Sequence, residues 1–205
     1  MQENSAQGLD FGDLATDPLS QFREWYALTP EAGLVDATAM TLATVDSDGK
    51  PSARIVLLKE IRDEGFVFFT NYHSRKGREL IANPDCSLVF WWDRLGRQVR
   101  IEGRARQLSV EDSDAYFATR PRDSQLGAWA SPQSQVVDSR GWLEQRLTEL
   151  THQHDGHEIP RPPHWGGFCV VPARVEFWLS RGARMHDRFS YERQGAGWRV
   201  QRLAP

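Results

Sequence analysis

Lysine is nearly missing from this chain of 205 residues: Lys50, Lys59 and Lys76 are its only lysines, and the remaining 22 of its 25 basic residues are arginine. Cysteine is scarce as well. Cys86 and Cys169 stand in separate apolar stretches, without the spacing of a metal site or the density of a disulfide framework, and read as buried thiols. No apolar run reaches the ~18 residues of a membrane span. Met1 to Thr16 is polar and acidic, with no basic start leading into an apolar stretch, so no secretory leader is expected and the reading is cytoplasmic. A net charge of −3 argues against a general nucleic-acid binder, which depends on a large positive field. Also lacking are a G-x-G-x-x-G loop, a Walker loop, a metal-spaced His/Cys cluster and a G-x-S-x-G elbow, so metal chemistry and hydrolysis by an activated serine have no support.

What is present begins with arginine, the side chain best shaped for bidentate contact with phosphate or carboxylate. The length suits one domain, expected over 17–205 behind a mobile arm at 1–16. Asp17-Pro18 is an N-cap followed by proline at the first helical position, and Leu19, Phe22, Trp25 and Tyr26 recur at helical spacing. From Ala39 the period changes to two, predicting a hairpin of Met40 to Val45 with Ser52 to Lys59, then a strand Gly65 to Thr70. A short helix, Ser74 to Ala82, precedes strands Cys86 to Trp92 and Gln98 to Leu108. Ser109 to Asp112 resembles a capping box opening a helix to about Arg120, and a second helix is expected over Asp138 to His152. The last third returns to strands: Gly167 to Val171, Arg174 to Leu179, Arg184 to Tyr191 and Trp198 to Leu203. The class is mainly β with flanking helices, α+β, and closure into a barrel would remove exposed edges.

Four basic stretches are candidates for a site. If Arg184 to Tyr191 is extended, Arg184, His186 and Arg188 share one face about 7 Å apart while Met185 and Asp187 share the other. Such a row suits an anion, although a solvated strand face is the bland alternative. At Ser74-Arg75-Lys76, two cations occupy a helix N-terminus that is already partially positive, and a bound anion would reverse the sign of that interaction. Arg54-Ile55-Val56-Leu57-Leu58-Lys59 places its two cations on opposite faces of an ideal strand, so one site can use both only through a bulge, a twist or a dimer interface. Arg120 to Gln125 sets cations and the Ser124 hydroxyl beside a helix start, and Trp178 is either core or a platform for a flat ring.

Taken together, these segments resemble the pyridoxine/pyridoxamine 5′-phosphate oxidase family from about Asp17 to Pro205. The matching runs are Arg54 to Lys59, Phe68-Phe-Thr-Asn71 with Ser74-Arg-Lys76, Arg97-Gln-Val99, Arg120-Pro-Arg-Asp-Ser-Gln125, Gly127-Ala-Trp129, Trp165-Gly-Gly-Phe168, Glu176-Phe-Trp178, Arg184-Met-His-Asp-Arg188 and Arg202-Leu-Ala-Pro205. The resemblance implies a split β-barrel, a homodimer with FMN at the subunit interface, and oxidation of the C4′ alcohol or amine of a small phosphorylated pyridine by O₂, giving H₂O₂. By motif, Arg54, Ile55, Val56, Leu57, Leu58, Lys59, Phe69, Thr70, Arg75, Lys76 and Gln98 would hold FMN from one subunit, and Gln133, Ser134, Trp178 and Arg188 from the other. Lys59, Tyr116, Arg120 and Ser124 would grip the substrate phosphate; Arg184 and His186, flanking Met185, would cover its ring as the catalytic pair. The chain departs from the family at Met185, commonly Leu, and in a short acidic arm where members often carry a longer basic one. Alternatives are a related flavin oxidase of another aromatic substrate, such as those of phenazine formation, and a non-catalytic split-barrel protein binding flavin or haem.

Overall fold

The computed structural model describes residues 8–205, and Met1–Gln7 lie outside the described residues. Its strands are β1 (Ala39–Val45), β2 (Pro51–Leu57), β3 (Glu60–Ile61), β4 (Phe66–Asn71), β5 (Asp85–Trp92), β6 (Arg97–Gln107), β7 (Trp165–Leu179), β8 (Asp187–Gln194) and β9 (Gly197–Arg202). They form one antiparallel sheet in the order β2-β1-β5-β6-β7-β4-β3, with β8 joined to β7 and β9 to β8.

The sheet forks along β7. One edge of β7 pairs with β6 throughout, from Arg97↔Leu179 to Gln107↔Phe168. The other edge pairs with β4 over Trp165 to Val170 and with β8 over Arg174 to Leu179. Pro172 lies where the partner changes and has no N–H to donate to either. Opposite it the β6 register shifts between Glu102 and Gly103, a bulge that bends the pair. A Cβ on Gly103 would lie 2.3 Å from the Val171 carbonyl oxygen, so only glycine allows this approach. The two strands expected at Gly167–Val171 and Arg174–Leu179 are therefore one bent strand. The forked sheet with its helices is the split-barrel, mixed α+β arrangement the sequence leads one to expect.

Helix α1 (Pro18–Tyr26) starts where Asp17 accepts hydrogen bonds from the Leu19 and Ser20 amides, both at 3.0 Å. It buries Leu19, Phe22 and Trp25. Phe22, wholly buried, meets Phe66 and Phe90 edge to face at 4.8 and 4.9 Å and plugs the main core. Helices α2 (Arg75–Ala82), α3 (Val110–Thr119), α4 (Arg122–Ala130) and α5 (Arg140–Gln153) follow. A second apolar cluster of Phe117, Leu126, Ile159 and Trp165 seats α3 and α4 on the start of β7. Among the described residues no helix is long and apolar enough to cross a membrane.

The described part of the expected arm, 8–16, is seated rather than mobile. Its few apolar side chains find partners: Leu9 is buried in the main core, Leu14 packs against it, and Phe11 meets Phe189 edge to face at 5.1 Å. The Tyr191 hydroxyl donates to the Ala15 carbonyl at 2.9 Å.

Buried Glu79 fastens α2 to the β1–β2 hairpin. Its carboxylate accepts from the hydroxyls of Thr44 (2.5 Å) and Ser52 (2.8 Å) and from the guanidiniums of Arg54 (3.2 Å) and Arg75 (2.8 Å). Burial alone would raise its pKa; the hydrogen bonds and the Arg54 charge reverse that and hold it at about 2, against an ordinary 4.5. Because the folded-state value is depressed, the stabilisation is fully present above pH 4.5 and is lost as pH falls through about 2. Glu79→Ala should cost on the order of 3 kcal/mol at pH 7 by urea denaturation, since it leaves half-buried Arg54 without its counter-charge and the Thr44 and Ser52 hydroxyls without their acceptor. The gap between wild type and variant should narrow between pH 4.5 and 2, and a gap independent of pH would contradict this account.

Candidate active site

A cavity of about 450 Å³ opens between the ends of β2 and β4, the start of α2 and the α3–α4 corner, within the ~300–1,000 Å³ usual for cofactor and ligand sites. Of the residues the sequence singles out, Ile55, Val56, Leu57, Lys59, Phe69, Thr70, Lys76, Tyr116, Arg120, Ser124 and Gln133 line it. Asn71, Gly127, Ala128, Ser131 and Trp165 also line it and were not expected there; the Trp165-Gly-Gly-Phe168 run was the available signal for Trp165.

The corner carrying Arg120 and Ser124 is rigid for local reasons. Buried Gln125 donates from Nε2 to the Phe117 carbonyl at 2.9 Å, tying the start of α4 to the end of α3. Ser124, in the first turn of α4, sits at the positive end of the helix. The Arg120 guanidinium lies over the Trp165 ring, 4.5 Å from its centroid, and Arg161 fixes that tryptophan by donating to its carbonyl oxygen at 2.6 Å. The Phe69 and Tyr116 rings stack at 3.8 Å and 10°, with Trp165 nearly parallel to both. Arg120 Nη1 is buried with no hydrogen-bond partner, and burial pushes the guanidinium pKa down. A cation held in this way has the donor geometry for an anion that the protein itself does not supply.

Lys76 reaches Gln133 Oε1 at 3.2 Å and Thr70 Oγ1 at 3.4 Å. Arg75, one residue earlier and so about 100° round the helix, turns instead to Glu79 and a second depression with Arg78 and Asp46. The two cations expected to converge at this helix start thus diverge. Arg54 also faces away from the cavity, donating to Leu42 O, Thr44 Oγ1, Ser52 Oγ and Glu79. β2 ends at Leu57, so strand parity does not govern Lys59, which lines the cavity while buried Leu58 enters the main core.

The expected one-faced row of Arg184, His186 and Arg188 does not form. β8 begins only at Asp187; Gly182–Arg184 is a 3₁₀ turn in which Ala183 and Arg184 have φ of 54° and 61°. Left-handed backbone at two successive non-glycine residues costs roughly 1–3 kcal/mol each and persists only where surrounding contacts impose it. The reversal from β7 into β8 consumes the residues that an alternating pattern would have kept extended. Trp178 gathers the cluster instead. His186 lies 4.4 Å from its ring and accepts at Nδ1 from the Arg181 amide at 3.1 Å, and Arg188 is the register partner of Trp178. Gln98 on β6 pairs with Trp178 on β7, and Trp91 on β5 pairs with Gln98, so Trp91, Gln98, Trp178 and Arg188 form one cross-strand row. Arg188 is anchored by buried Glu176 at 2.8 Å, which raises its pKa. Within one copy, Gln98 lies with Trp178, and Gln133 with Thr70 and Lys76. Ser134, exposed with φ of 70°, does not line the cavity.

A family model described as pyridoxamine 5′-phosphate oxidase matches residues 30–154, and a second, described as the pyridoxine 5′-phosphate oxidase C-terminal dimerisation region, matches residues 165–205. The chain belongs to the pyridoxamine 5′-phosphate oxidase family. The first match spans most of the cavity residues and the second spans β7 to β9 with the Trp178 cluster. A relative from Microcystis aeruginosa, named pyridoxine/pyridoxamine 5′-phosphate oxidase, is 54% identical over 94% of this chain and 91% of its own. One of the same name from Rubrobacter xylanophilus is 53% identical over 100% of this chain and 94% of its own. Among solved structures, PhzG from Burkholderia lata, in complex with tetrahydrophenazine-1-carboxylic acid, superposes with a TM-score of 0.90 at 33% identity over 95% of each chain. A pyridoxamine 5′-phosphate oxidase-related, FMN-binding protein from Nostoc punctiforme, 20% identical with a TM-score of 0.72 over 94% of this chain and 100% of its own, shares the fold.

Burial, followed by the nearby Arg54 charge, lowers the Lys76 pKa below 10.5. Its ammonium is therefore lost at a lower pH than that of an ordinary lysine, and affinity for an anion in the cavity should decline with it. Calorimetric titration with inorganic phosphate should show weakening as pH rises toward 10 in the wild type and a flatter profile in Lys76→Arg. An equally steep decline in both would place the titrating group elsewhere.

Proposed function

We propose that this protein oxidises pyridoxine 5′-phosphate or pyridoxamine 5′-phosphate to pyridoxal 5′-phosphate, with FMN as the bound cofactor and O₂ as the final acceptor, giving H₂O₂. The observation that carries the reading is the seat at the α3–α4 corner, where Arg120 Nη1 is buried without a partner beside Ser124 and Lys59. A phosphate there would accept charge-assisted bonds from a guanidinium, a hydroxyl at a helix N-terminus and an ammonium. Relatives at 52–56% identity carry the oxidase name, whereas the phenazine-related structure is 33% identical.

The residues present fit FMN. Thr70, Lys76 and Gln133 offer a hydroxyl, an ammonium and an amide at one end of the cavity, and the exposed side chains of Ile55 and Leu57 offer an apolar wall. When bound, FMN supplies the two-electron acceptor for the substrate's C4′ hydride and passes the electrons to O₂. The protein's part is then position and electrostatics. Lys59, Tyr116, Arg120 and Ser124 anchor the substrate phosphate, and Phe69 against Tyr116 keeps that wall flat. Arg184 and His186, beside exposed Met185, face the pyridine ring; a guanidinium there fixes the ring plane and favours developing negative charge without itself titrating. Trp178, Gln98 and Arg188 complete the flavin site from a second copy, because they lie on the other arm of the sheet and none of them lines the cavity. The match to a dimerisation region over residues 165–205 supports that homodimer. Arg54 and Arg75, engaged with Glu79, brace the α2 start from behind.

Dependence on the 5′-phosphate tests the seat. Charge-assisted hydrogen bonds are worth roughly 1.5–3 kcal/mol each, so losing two should lower kcat/KM about a hundredfold or more. Pyridoxine should be oxidised that much less efficiently than its phosphate, and Arg120→Ala should erase most of the preference. Near-equal use of both substrates by the wild type would make the Arg120 corner structural.

The division of the Trp178 cluster has its own test. Arg184→Ala should retain FMN and lose turnover, while Arg188→Ala should release FMN more readily on gel filtration. The same behaviour in both variants, or the reverse, would overturn the assignment.

A further inference from the structure

The strained turn that presents Arg184 and His186 is tied down from the far end of the chain. Asp187 follows His186 directly and opens β8, and its carboxylate is largely buried. Oδ2 accepts from the Leu9 amide at 3.1 Å and lies 3.5 Å from Arg181 Nε; Oδ1 lies 3.2 Å from Arg202 Nη1. Arg202 uses its other nitrogen on the same segment, donating to the Leu9 carbonyl at 3.2 Å and to Asp10 Oδ1 at 2.8 Å. Its guanidinium lies over Phe189, 4.5 Å from the centroid, and Phe189 meets Phe11 edge to face. Leu9 itself is in the core. Segment 9–11 is thus held by backbone, charge and packing at once, and the first two converge on the residue that follows the proposed catalytic pair.

Arg181 joins the two ends of the turn. Its guanidinium approaches Asp187 while its amide donates to His186 Nδ1. A shift of Asp187 therefore moves Arg181, and with it the ring of His186 on Trp178. The left-handed Ala183 and Arg184 lie between them, inside a turn that the Met185 N–H closes on the Gly182 carbonyl at 3.1 Å.

We propose that Asp187 and Arg202, with Leu9 and Asp10, are positioning residues: they strap the N-terminal segment across the root of β8 and hold the Arg184–His186 turn in its substrate-facing form. This rests on the oxidase reading above for the identity of the substrate, though not for the mechanics of the turn. Asp187→Asn keeps an acceptor for the Leu9 amide and removes the charge that draws Arg181 and Arg202 together. Arg202→Gln removes the fork from the other side.

The experiment measures, for both full-length variants and Asp10→Asn, FMN content, kcat and KM with pyridoxine 5′-phosphate, thermal unfolding, and amide hydrogen exchange across 181–188. Asp187→Asn and Arg202→Gln should each lower kcat per bound flavin at least tenfold with KM changed less than threefold, because the phosphate is gripped elsewhere, and exchange at Met185 and His186 should quicken. The double variant should be little worse than either single one, as expected of residues acting through one contact. Asp10→Asn should show a smaller loss of the same kind. Lowered thermal stability with unchanged kcat per flavin and unchanged exchange in the turn would make the network merely structural and overturn the proposal, as would loss of FMN with normal turnover in the flavin that remains. If the wild type binds FMN but does not turn over the phosphate ester, the oxidase reading fails; the exchange data then decide the positioning claim independently. Should Asp187→Asn fail to fold, Arg202→Gln carries the same readouts.

Discussion

A single strand, β7, has three neighbours and only two edges, and the way it shares one edge sets the rest of the molecule. Hydrogen-bond directionality forbids two partners at the same residues, so β4 takes the first half and β8 the second, with Pro172 at the change and the bulge at Gly103 absorbing the bend. The β4 arm carries Phe69 and Thr70 to the cavity; the β8 arm carries Arg188 and the strained turn. Within one copy the two arms keep their residues apart, and in the homodimer proposed above they would meet between copies.

Much of the fold was legible in the sequence because its signals are local. Asp17-Pro18, Ser74 and Ser109 cap the helices they announce, and the first hairpin follows the change of period at Ala39. The unity of β7 was not legible, since Pro172 inside an apolar run reads equally as a break and as a bend. The turn at Gly182 to Arg184 was missed for a related reason: alternating polar and apolar residues look the same whether the backbone is extended or reversed. The neighbours that Gln98 and Gln133 have within the chain were not legible, because single amides carry no periodic signal of where they face.

The residues least visible in advance were the carboxylates. Glu79, Glu176 and Asp187 look like ordinary surface acids, yet each has a largely buried side chain and holds two arginines. Glu176 gave the best hint, being the one charge within the apolar run Val175 to Leu179. Basic motifs are conspicuous; the acids that aim them are not, because their placement depends on strands and helices far apart in the chain.

Among the described residues, the cations at Arg54, Arg75, Arg100, Arg188 and Arg202 sit against carboxylates, whereas Lys59, Lys76 and Arg120 have none within ion-pair distance. These three thus add an uncompensated positive field at the cavity, in a chain whose net charge is −3. With a Debye length of about 8 Å at physiological ionic strength, an anion outside the mouth feels little of it. Within that distance the cluster favours anionic over neutral ligands, and the advantage shrinks as salt is added.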